Sequence, residues 1–179
     1  MLLEQLVPGD FVVIEMGHND ATRPGSEADK GRDRGVLRGV GDETMVVANT
    51  TGGKGTEIVY TFGHYLHRMI ADVRQRKAIP ILSGMVPTMA WSGGQLRTTW
   101  EFTEWARQTA ARESAGFVDH TKYSVQSFQA LGETKSMGMF PLDHTHTNAA
   151  GALCEQFPIP SGMSCIARSK ERKLMNVTL

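Results

Sequence analysis

The residues best suited to chemistry fall in one short stretch, Asp143-His144-Thr145-His146. An apolar pattern at helical spacing follows it, so both histidines are expected on a loop that enters a helix. A carboxylate three residues before a histidine can fold back onto one ring nitrogen and leave the other free to take a proton. The spacing therefore favours an acid–base pair of Asp143 and His146. The alternative is a polar turn whose side chains only satisfy backbone groups.

A second stretch, Gly17-His18-Asn19-Asp20, follows an apolar run over residues 11–16. The β-branched character of that run predicts a buried strand. Open parallel sheets bind their ligands beyond the carboxyl ends of the strands, which is where Asn19 falls. Its side-chain amide can donate a hydrogen bond to a developing oxyanion, an interaction of about 3 kcal/mol in hydrolases.

The two stretches resemble the third and fifth sequence blocks of the SGNH (GDSL-type) hydrolases, and the similarity runs from about residue 8 to residue 157. The surrounding sequence is similar to rhamnogalacturonan acetylesterases in particular. Three segments carry this likeness: Pro8-Gly9-Asp10-Phe11-Val12-Val13-Ile14-Glu15, Arg34-Gly35-Val36-Leu37-Arg38-Gly39-Val40-Gly41-Asp42-Glu43-Thr44 and Phe140-Pro141-Leu142-Asp143-His144-Thr145-His146-Thr147. The resemblance implies an α/β fold with a flavodoxin-like, doubly wound parallel sheet. It also implies a secreted serine esterase that removes acetyl groups from a pectic polysaccharide.

The resemblance also implies roles for individual residues. His146 would be the catalytic base, Asp143 its orienting partner and Asn19 an oxyanion donor. Gly17 and His18, from the same block as Asn19, would contact the substrate. The family pattern implies neither a cofactor nor a metal.

The serine of the family's Gly-Asp-Ser block has no counterpart among the 179 residues. The two Gly-Asp pairs continue as Gly9-Asp10-Phe11 and Gly41-Asp42-Glu43. Ser26 is the nearest serine after residues 17–20, and no pattern places it beside His146. We therefore expect an N-terminally truncated sheet that lacks its first strand, and a chain that is inactive as given.

Two alternatives to the esterase stay open. The first is a non-catalytic carbohydrate-binding remnant, or pseudoenzyme, that retains the cleft. The second is a metal site, since two histidines and a carboxylate can hold a transition metal. Its candidate ligands are His18, Asp20, Asp143, His144 and His146.

Composition narrows the possible partners. Lysine plus arginine equals aspartate plus glutamate at 19 each, so no basic excess is present to bind a nucleic acid. No apolar run approaches the roughly 20 residues needed to span a membrane, and the N-terminus does not have the pattern of a signal peptide. We expect a monomeric domain over residues 1–157 and a disordered tail over residues 158–179. The pairing of the two cysteines, Cys154 and Cys165, stays open.

The elements that must position these residues alternate between strand and helix. Apolar periodicity predicts helices over residues 63–77, 98–114 and 121–131, the second with a capping box from Thr98 to Glu101. Strands are predicted over residues 79–86 and 116–120, and the strand at residues 11–16 would form an unpaired edge.

The glycine-rich connection over residues 21–56 shows little periodicity, which is typical of a functional or disordered loop. In an esterase it would wall the substrate site, with its arginines facing pectic carboxylates. Alternatively these arginines pair with the acidic residues of the same connection, Asp29, Asp33 and Asp42. The arginines are Arg23, Arg32, Arg34 and Arg38.

Overall fold

The computed structural model describes residues 2–49, 51 and 55–156. These residues belong to two compact units, which we describe separately. Among the described residues, the sheet unit comprises those within Met1–Met85 and Trp100–Asp119, and the histidine unit comprises those within Val86–Thr99 and His120–Leu179. Both the tail predicted over residues 158–179 and Cys165 lie outside the described residues.

A three-stranded parallel sheet organises the sheet unit, in the order β1 (Phe11–Ile14), β4 (Ile79–Ser83), β7 (Gly116–Val118). In the register, Ile14 lies beside Leu82, which lies beside Phe117. The predicted α/β class with a parallel sheet is therefore confirmed. All three strands were predicted from their apolar runs, within a few residues at their ends.

Two helices, α2 (Phe62–Gln75) and α3 (Glu101–Arg112), pack against this sheet. The apolar spacing that predicted α2 places Leu66 and Ile70 in the core, where each is at most 2% exposed. Thr61 caps α2 by accepting a hydrogen bond from the His64 backbone N–H at 3.1 Å. These helices cover the side chains of Ile14 and Leu82, so the core of the sheet unit lies between them and the sheet.

β1 is an edge strand within the described part of the sheet, as predicted. Its alternate residues point to opposite faces. Ile14 is buried, whereas Phe11 and Val13 are 69% and 61% exposed. On the neighbouring strands Ile79 and Val118 are also exposed. One face of the sheet therefore carries the core, and the other presents apolar side chains.

The predicted irregular connection over residues 21–56 is wrong at its C-terminal end. There β2 (Thr44–Ala48) forms an antiparallel hairpin with β3 (Thr56–Tyr60), and Leu37 bridges to Thr61 just before α2. Both strands are rich in β-branched residues, which favour strands, but glycines and charged residues flank them and obscured this signal in the sequence.

The predicted capping box at Thr98 is also wrong. α3 begins at Glu101, and its N-cap is Trp100, which makes no side-chain capping hydrogen bond. Trp100 is only 7% exposed, so a buried aromatic residue without a capping hydroxyl precedes the helix.

In the histidine unit, α4 (His120–Leu131) packs against the short helices α5 (Glu133–Met137) and α6 (Ala149–Gln156). Phe128 of α4 is fully buried and meets the Phe140 ring edge-on, with 5.4 Å between centroids. The His120 ring contacts the Glu155 carbonyl at 2.7 Å and so ties α4 to α6.

A small hairpin completes the histidine unit, with β5 (Trp91–Ser92) paired to β6 (Gln95–Leu96). Gln129 of α4 holds it, because its Oε1 accepts from the Leu96 N–H at 2.8 Å and its Nε2 donates to the Gly94 carbonyl at 3.0 Å. The short helix α1 (Leu2–Gln5) belongs to the sheet unit. None of the helices in the described ranges combines the length and apolarity that a membrane crossing requires.

Candidate functional site

The carboxylate of Asp143 organises the loop that carries both histidines. One oxygen, Oδ1, accepts hydrogen bonds from the backbone N–H groups of Thr145 and His146, each at 2.7 Å. The other, Oδ2, lies 2.6 Å from Nδ1 of the His146 ring. The sequence spacing predicted this pair, and the structure shows both interpretations of the stretch at once. Asp143 satisfies the backbone of a polar turn and also binds the imidazole.

Further contacts fix the ends of this loop within the histidine unit. The Met89 N–H donates to the His144 carbonyl at 2.8 Å, and the Asn148 N–H donates to the Met139 carbonyl at 2.8 Å. The side chain of Asn148 then accepts from the Gly151 N–H at 3.0 Å, which caps the first turn of α6. The prediction of a loop entering a helix is therefore confirmed.

The contacts around Asp143 determine its protonation. The backbone N–H of His146, then the His146 ring and then the Thr145 N–H lower the pKa of Asp143 to about 2. Asp143 is therefore ionised at neutral pH and can only accept hydrogen bonds. Nδ1 of the His146 ring must then carry the hydrogen, which leaves Nε2 as the nitrogen that can take a proton.

The pair is open to solvent. The side chain of His146 is 76% exposed and that of Asp143 is 44% exposed. Leu142, the residue before Asp143, is 86% exposed. The imidazole is therefore accessible to a large substrate, and an exposed apolar side chain stands beside the acid–base pair.

The second predicted group of residues lies in the sheet unit, directly after β1. The Gly17 N–H donates to Asp20 Oδ2 at 2.9 Å, so residues 17–20 form a closed turn at the carboxyl end of the strand. Gly17 has a φ of 129°, and a Cβ at this position would lie 2.9 Å from Cβ of Phe102. Only glycine therefore fits between the turn and α3. Asn19 is exposed at the outer side of this turn.

Asp20 is partly buried, and this burial raises its pKa. The hydrogen bond from Gly17 and the charges of Arg34 and His18 oppose the rise. The turn therefore places a partly desolvated carboxylate beside the predicted oxyanion donor.

Two cavities adjoin this turn within the sheet unit. One, of about 350 Å³, is lined by residues 15–20 and by Arg34. The other, of about 320 Å³, shares Met16, Asp20 and Arg34 with the first and extends over β3 and α2. Gly17, His18 and Asn19, predicted from the sequence as site residues, thus line one concave surface.

The described residues contain no group of three or more His, Cys, Asp or Glu side chains arranged to hold a metal ion. The metal alternative therefore has no ligand set in this part of the chain.

Comparison with known proteins identifies the family. The model of the GDSL-like lipase/acylhydrolase family matches residues 2–153. The chain belongs to this family. The match includes both candidate groups, residues 17–20 and residues 143–146.

Two curated proteins resemble the chain along most of its length. The chain is 34% identical to the rhamnogalacturonan acetylesterase of Emericella nidulans over 152 residues, which cover 84% of this chain and 59% of that protein. It is 26% identical to the probable rhamnogalacturonan acetylesterase YesY of Bacillus subtilis over 159 residues, which cover 84% of this chain and 60% of that protein. The chain thus spans about three fifths of the length of these relatives.

A solved structure resembles the fold. The X-ray crystal structure of the YXIM protein of Bacillus subtilis matches with a TM-score of 0.60 at 20% identity, covering 88% of this chain and 37% of that one. The likeness supports the α/β architecture of the GDSL-like family for this chain.

Sequence reasoning missed one part of the site. Asp29 is only 4% exposed, and its carboxylate accepts hydrogen bonds from the backbone of Arg34 and Gly35. One of the two alternatives for this loop paired Asp29 with arginine side chains of the same connection. The only signal in the sequence is an aspartate six residues before a glycine, which is too common a pattern to identify a buried cap.

Proposed function

We propose that the chain is the part of a carbohydrate esterase that supplies the acid–base pair and the oxyanion donor for removal of acetyl groups from a pectic polysaccharide. The observation that carries this proposal is the 2.6 Å contact between Asp143 Oδ2 and His146 Nδ1. Such an arrangement fixes the tautomer and orientation of an imidazole that acts as a general base. The substrate class is supported by the two relatives, a rhamnogalacturonan acetylesterase and a probable rhamnogalacturonan acetylesterase.

In the proposed reaction a serine hydroxyl attacks the acetyl carbonyl while His146 Nε2 takes its proton. The side-chain amide of Asn19 donates to the oxyanion of the tetrahedral intermediate. His146 then returns the proton to the sugar oxygen as the C–O bond to the acetyl group breaks. A water molecule, deprotonated by His146, then attacks the acetyl carbonyl, and acetate leaves as the bond to the serine oxygen breaks and that oxygen takes the proton back from His146.

The reaction needs a nucleophile that these 179 residues do not offer in a Gly-Asp-Ser context. We therefore propose that the 179-residue polypeptide shows no His146-dependent hydrolysis of p-nitrophenyl acetate. Loss of the triad serine in a comparable hydrolase lowers turnover about a million-fold. Robust turnover that disappears in His146→Ala would contradict this part of the proposal.

The esterase site itself is tested by binding. We expect an acetylated rhamnogalacturonan fragment to shift the NMR signals of both the Asn19 side-chain amide and the His146 ring. The deacetylated fragment should shift them less. Asn19→Ala should remove the preference for the acetylated fragment, because it removes the donor for the carbonyl oxygen. His144→Ala is the control variant and should keep the preference for the acetylated fragment. Among the described residues, no contact joins the His144 ring to Asp143. Shifts confined to one of the two residues would contradict the roles proposed for Asn19 and His146.

A carbohydrate-binding remnant is the second candidate, favoured by the two cavities beside residues 17–20 together with the absence of Gly-Asp-Ser. A remnant would bind acetylated and deacetylated fragments equally. The same titration therefore separates the two functions. In either case we propose that residues 1–157 act as one monomeric unit outside the cell.

A further inference from the structure

Of the four arginines in the loop after β1, one is placed to bind a ligand. The side chain of Arg38 is in an ion pair with Glu101 at 3.1 Å. Arg34 lines both cavities beside residues 17–20, whereas Arg23 and Arg32 line neither. The structure therefore singles out Arg34 from a set that the sequence treats as equivalent.

The backbone of Arg34 is held by a buried carboxylate. Oδ1 of Asp29 accepts hydrogen bonds from the N–H groups of Arg34 at 3.1 Å and Gly35 at 2.9 Å. A Cβ on Gly35 would collide with the carbonyl oxygen of Thr22, so the loop closes tightly at this point. Because Asp29 is 4% exposed, these hydrogen bonds form in a poorly solvated environment and are correspondingly strong.

A second anchor ties the same segment to the oxyanion turn. The N–H of Val36, two residues after Arg34, donates to the carbonyl of Asp20 at 3.3 Å. The Arg34 side chain thus starts from a backbone that is fixed on both sides and borders the cavity lined by Asn19. The backbone at Arg34 therefore needs no reordering when a ligand binds, and the ordering cost is that of the side-chain rotamers.

The Arg34 side chain keeps hydrogen-bonding capacity for a ligand. The side chain is exposed. Its charge lowers the pKa of Asp20, which is a described carboxylate. Oδ2 of Asp20 already accepts from the Gly17 N–H. A guanidinium carries five N–H donors in a planar fork, which matches a second carboxylate in a bidentate arrangement.

We propose that Arg34 forms a subsite that binds the carboxylate of a uronic acid residue next to the acetylated sugar. This assignment rests on the proposed function, because rhamnogalacturonan carries galacturonate along its chain. Arg34 would set the register of the polysaccharide so that an acetyl group reaches the side-chain amide of Asn19. It is a specificity residue and takes no part in bond breaking.

The test compares a galacturonate-containing rhamnogalacturonan oligosaccharide with its methyl ester, using isothermal titration calorimetry on the full 179-residue chain. The ester keeps the sugar and removes the charge. We expect Arg34→Gln to weaken binding of the acid form at least about 10-fold and to leave the affinity for the ester unchanged. Arg32→Gln, in the same loop but outside both cavities, should behave as wild type.

Arg34→Lys provides a second variant if Arg34→Gln does not fold. An ammonium group keeps the charge but cannot form the bidentate pair, so affinity for the acid form should still fall by several-fold. Equal affinity of the wild type for acid and ester would overturn the subsite, as would equal affinity of Arg34→Gln and wild type for the acid. Failure of the wild type to bind the acid form would overturn it as well.

The tests of the Arg34 subsite and of the proposed esterase function can fail independently of each other. The esterase proposal depends on the acetyl group and on signals from Asn19 and His146, whereas the subsite depends on the uronate charge and on Arg34. Acetyl-dependent shifts without an effect of Arg34→Gln would remove the subsite alone. An Arg34 effect without acetyl dependence would remove the esterase and leave an acidic-glycan site.

Discussion

The ionisation of Asp143 is the property of the site that can be tested most directly. Its pKa is lowered from 3.8 to about 2, with the backbone N–H of His146 as the largest cause and the His146 ring next. At pH 3 an aspartate with a pKa of 2 is about 90% ionised, whereas one with the ordinary pKa of 3.8 is about 14% ionised. The two cases are therefore well separated at one pH.

The perturbation is His146→Ala, which removes the ring and keeps the backbone. The hydrogen bonds from the Thr145 and residue 146 N–H groups to Asp143 Oδ1 remain, while the contact to Oδ2 is lost. We expect the pKa of Asp143 to rise in this variant but to stay below 3.8. His144→Ala is the matched control and should leave the pKa of Asp143 unchanged, because Asp143 bonds to residues 145 and 146 and not to the His144 ring.

The assay is a pH titration of the Asp143 carboxyl ¹³C signal by NMR, from pH 6 to pH 1.5. A carboxylate whose folded-state pKa is depressed stabilises the loop fully above its unfolded value of 3.8. This contribution is lost as the pH falls through about 2. The amide protons of Thr145 and His146 should thus remain protected from exchange well below pH 3.8. An ordinary titration of Asp143 near 3.8 in the wild type would refute the reasoning, as would equal shifts in both histidine variants.

Three further predictions concern the sheet unit. Leu82→Ala should lower the free energy of unfolding by about 2–5 kcal/mol, because Leu82 is fully buried, whereas Val13→Ala on the exposed face of β1 should change it by less than about 0.5 kcal/mol; urea denaturation measures both. In the same assay, Gly17→Ala should lower the free energy of unfolding by about 2 kcal/mol more than Gly9→Ala does. Both glycines have a positive φ, but only at Gly17 would an added Cβ contact Phe102. Equal losses of stability in the two variants would show that no clash occurs. Arg34→Gln should raise the pKa of Asp20 further, because it removes a charge that lowers it; a ¹³C titration that finds the Asp20 pKa unchanged would place Arg34 away from Asp20.

The parts of the molecule that the sequence predicts well are those with strong local signals. The apolar spacing of α2, the loop before α6 and the run that forms β1 each encode their structure within a few neighbouring residues. The pair of Asp143 and His146 belongs to the same class, since its members are three residues apart.

The parts that the sequence does not predict depend on contacts between distant residues. The hairpin of β2 and β3 depends on pairing between its strands, for example of Met45 with Val59, and a pattern within one strand does not reveal its partner. The buried role of Asp29 and the choice of Arg34 over Arg38 follow from how the loop closes on itself and on Glu101. No pattern within a single segment carries that information.

The Asp143 turn and the Arg34 subsite should respond differently when the sheet core is weakened. The turn of residues 143–146 is closed by hydrogen bonds within four residues, so little loop entropy opposes its formation. The Arg34 subsite, in contrast, needs β1, the loop and α2 to be in place. Leu82→Ala, which weakens the core under β1, should therefore reduce the affinity for the uronate oligosaccharide near the unfolding midpoint while the low pKa of Asp143 persists. Calorimetry and the ¹³C titration on the same variant measure the two responses. A loss of both at the same denaturant concentration would show that the Asp143 turn depends on the sheet core rather than on its own hydrogen bonds.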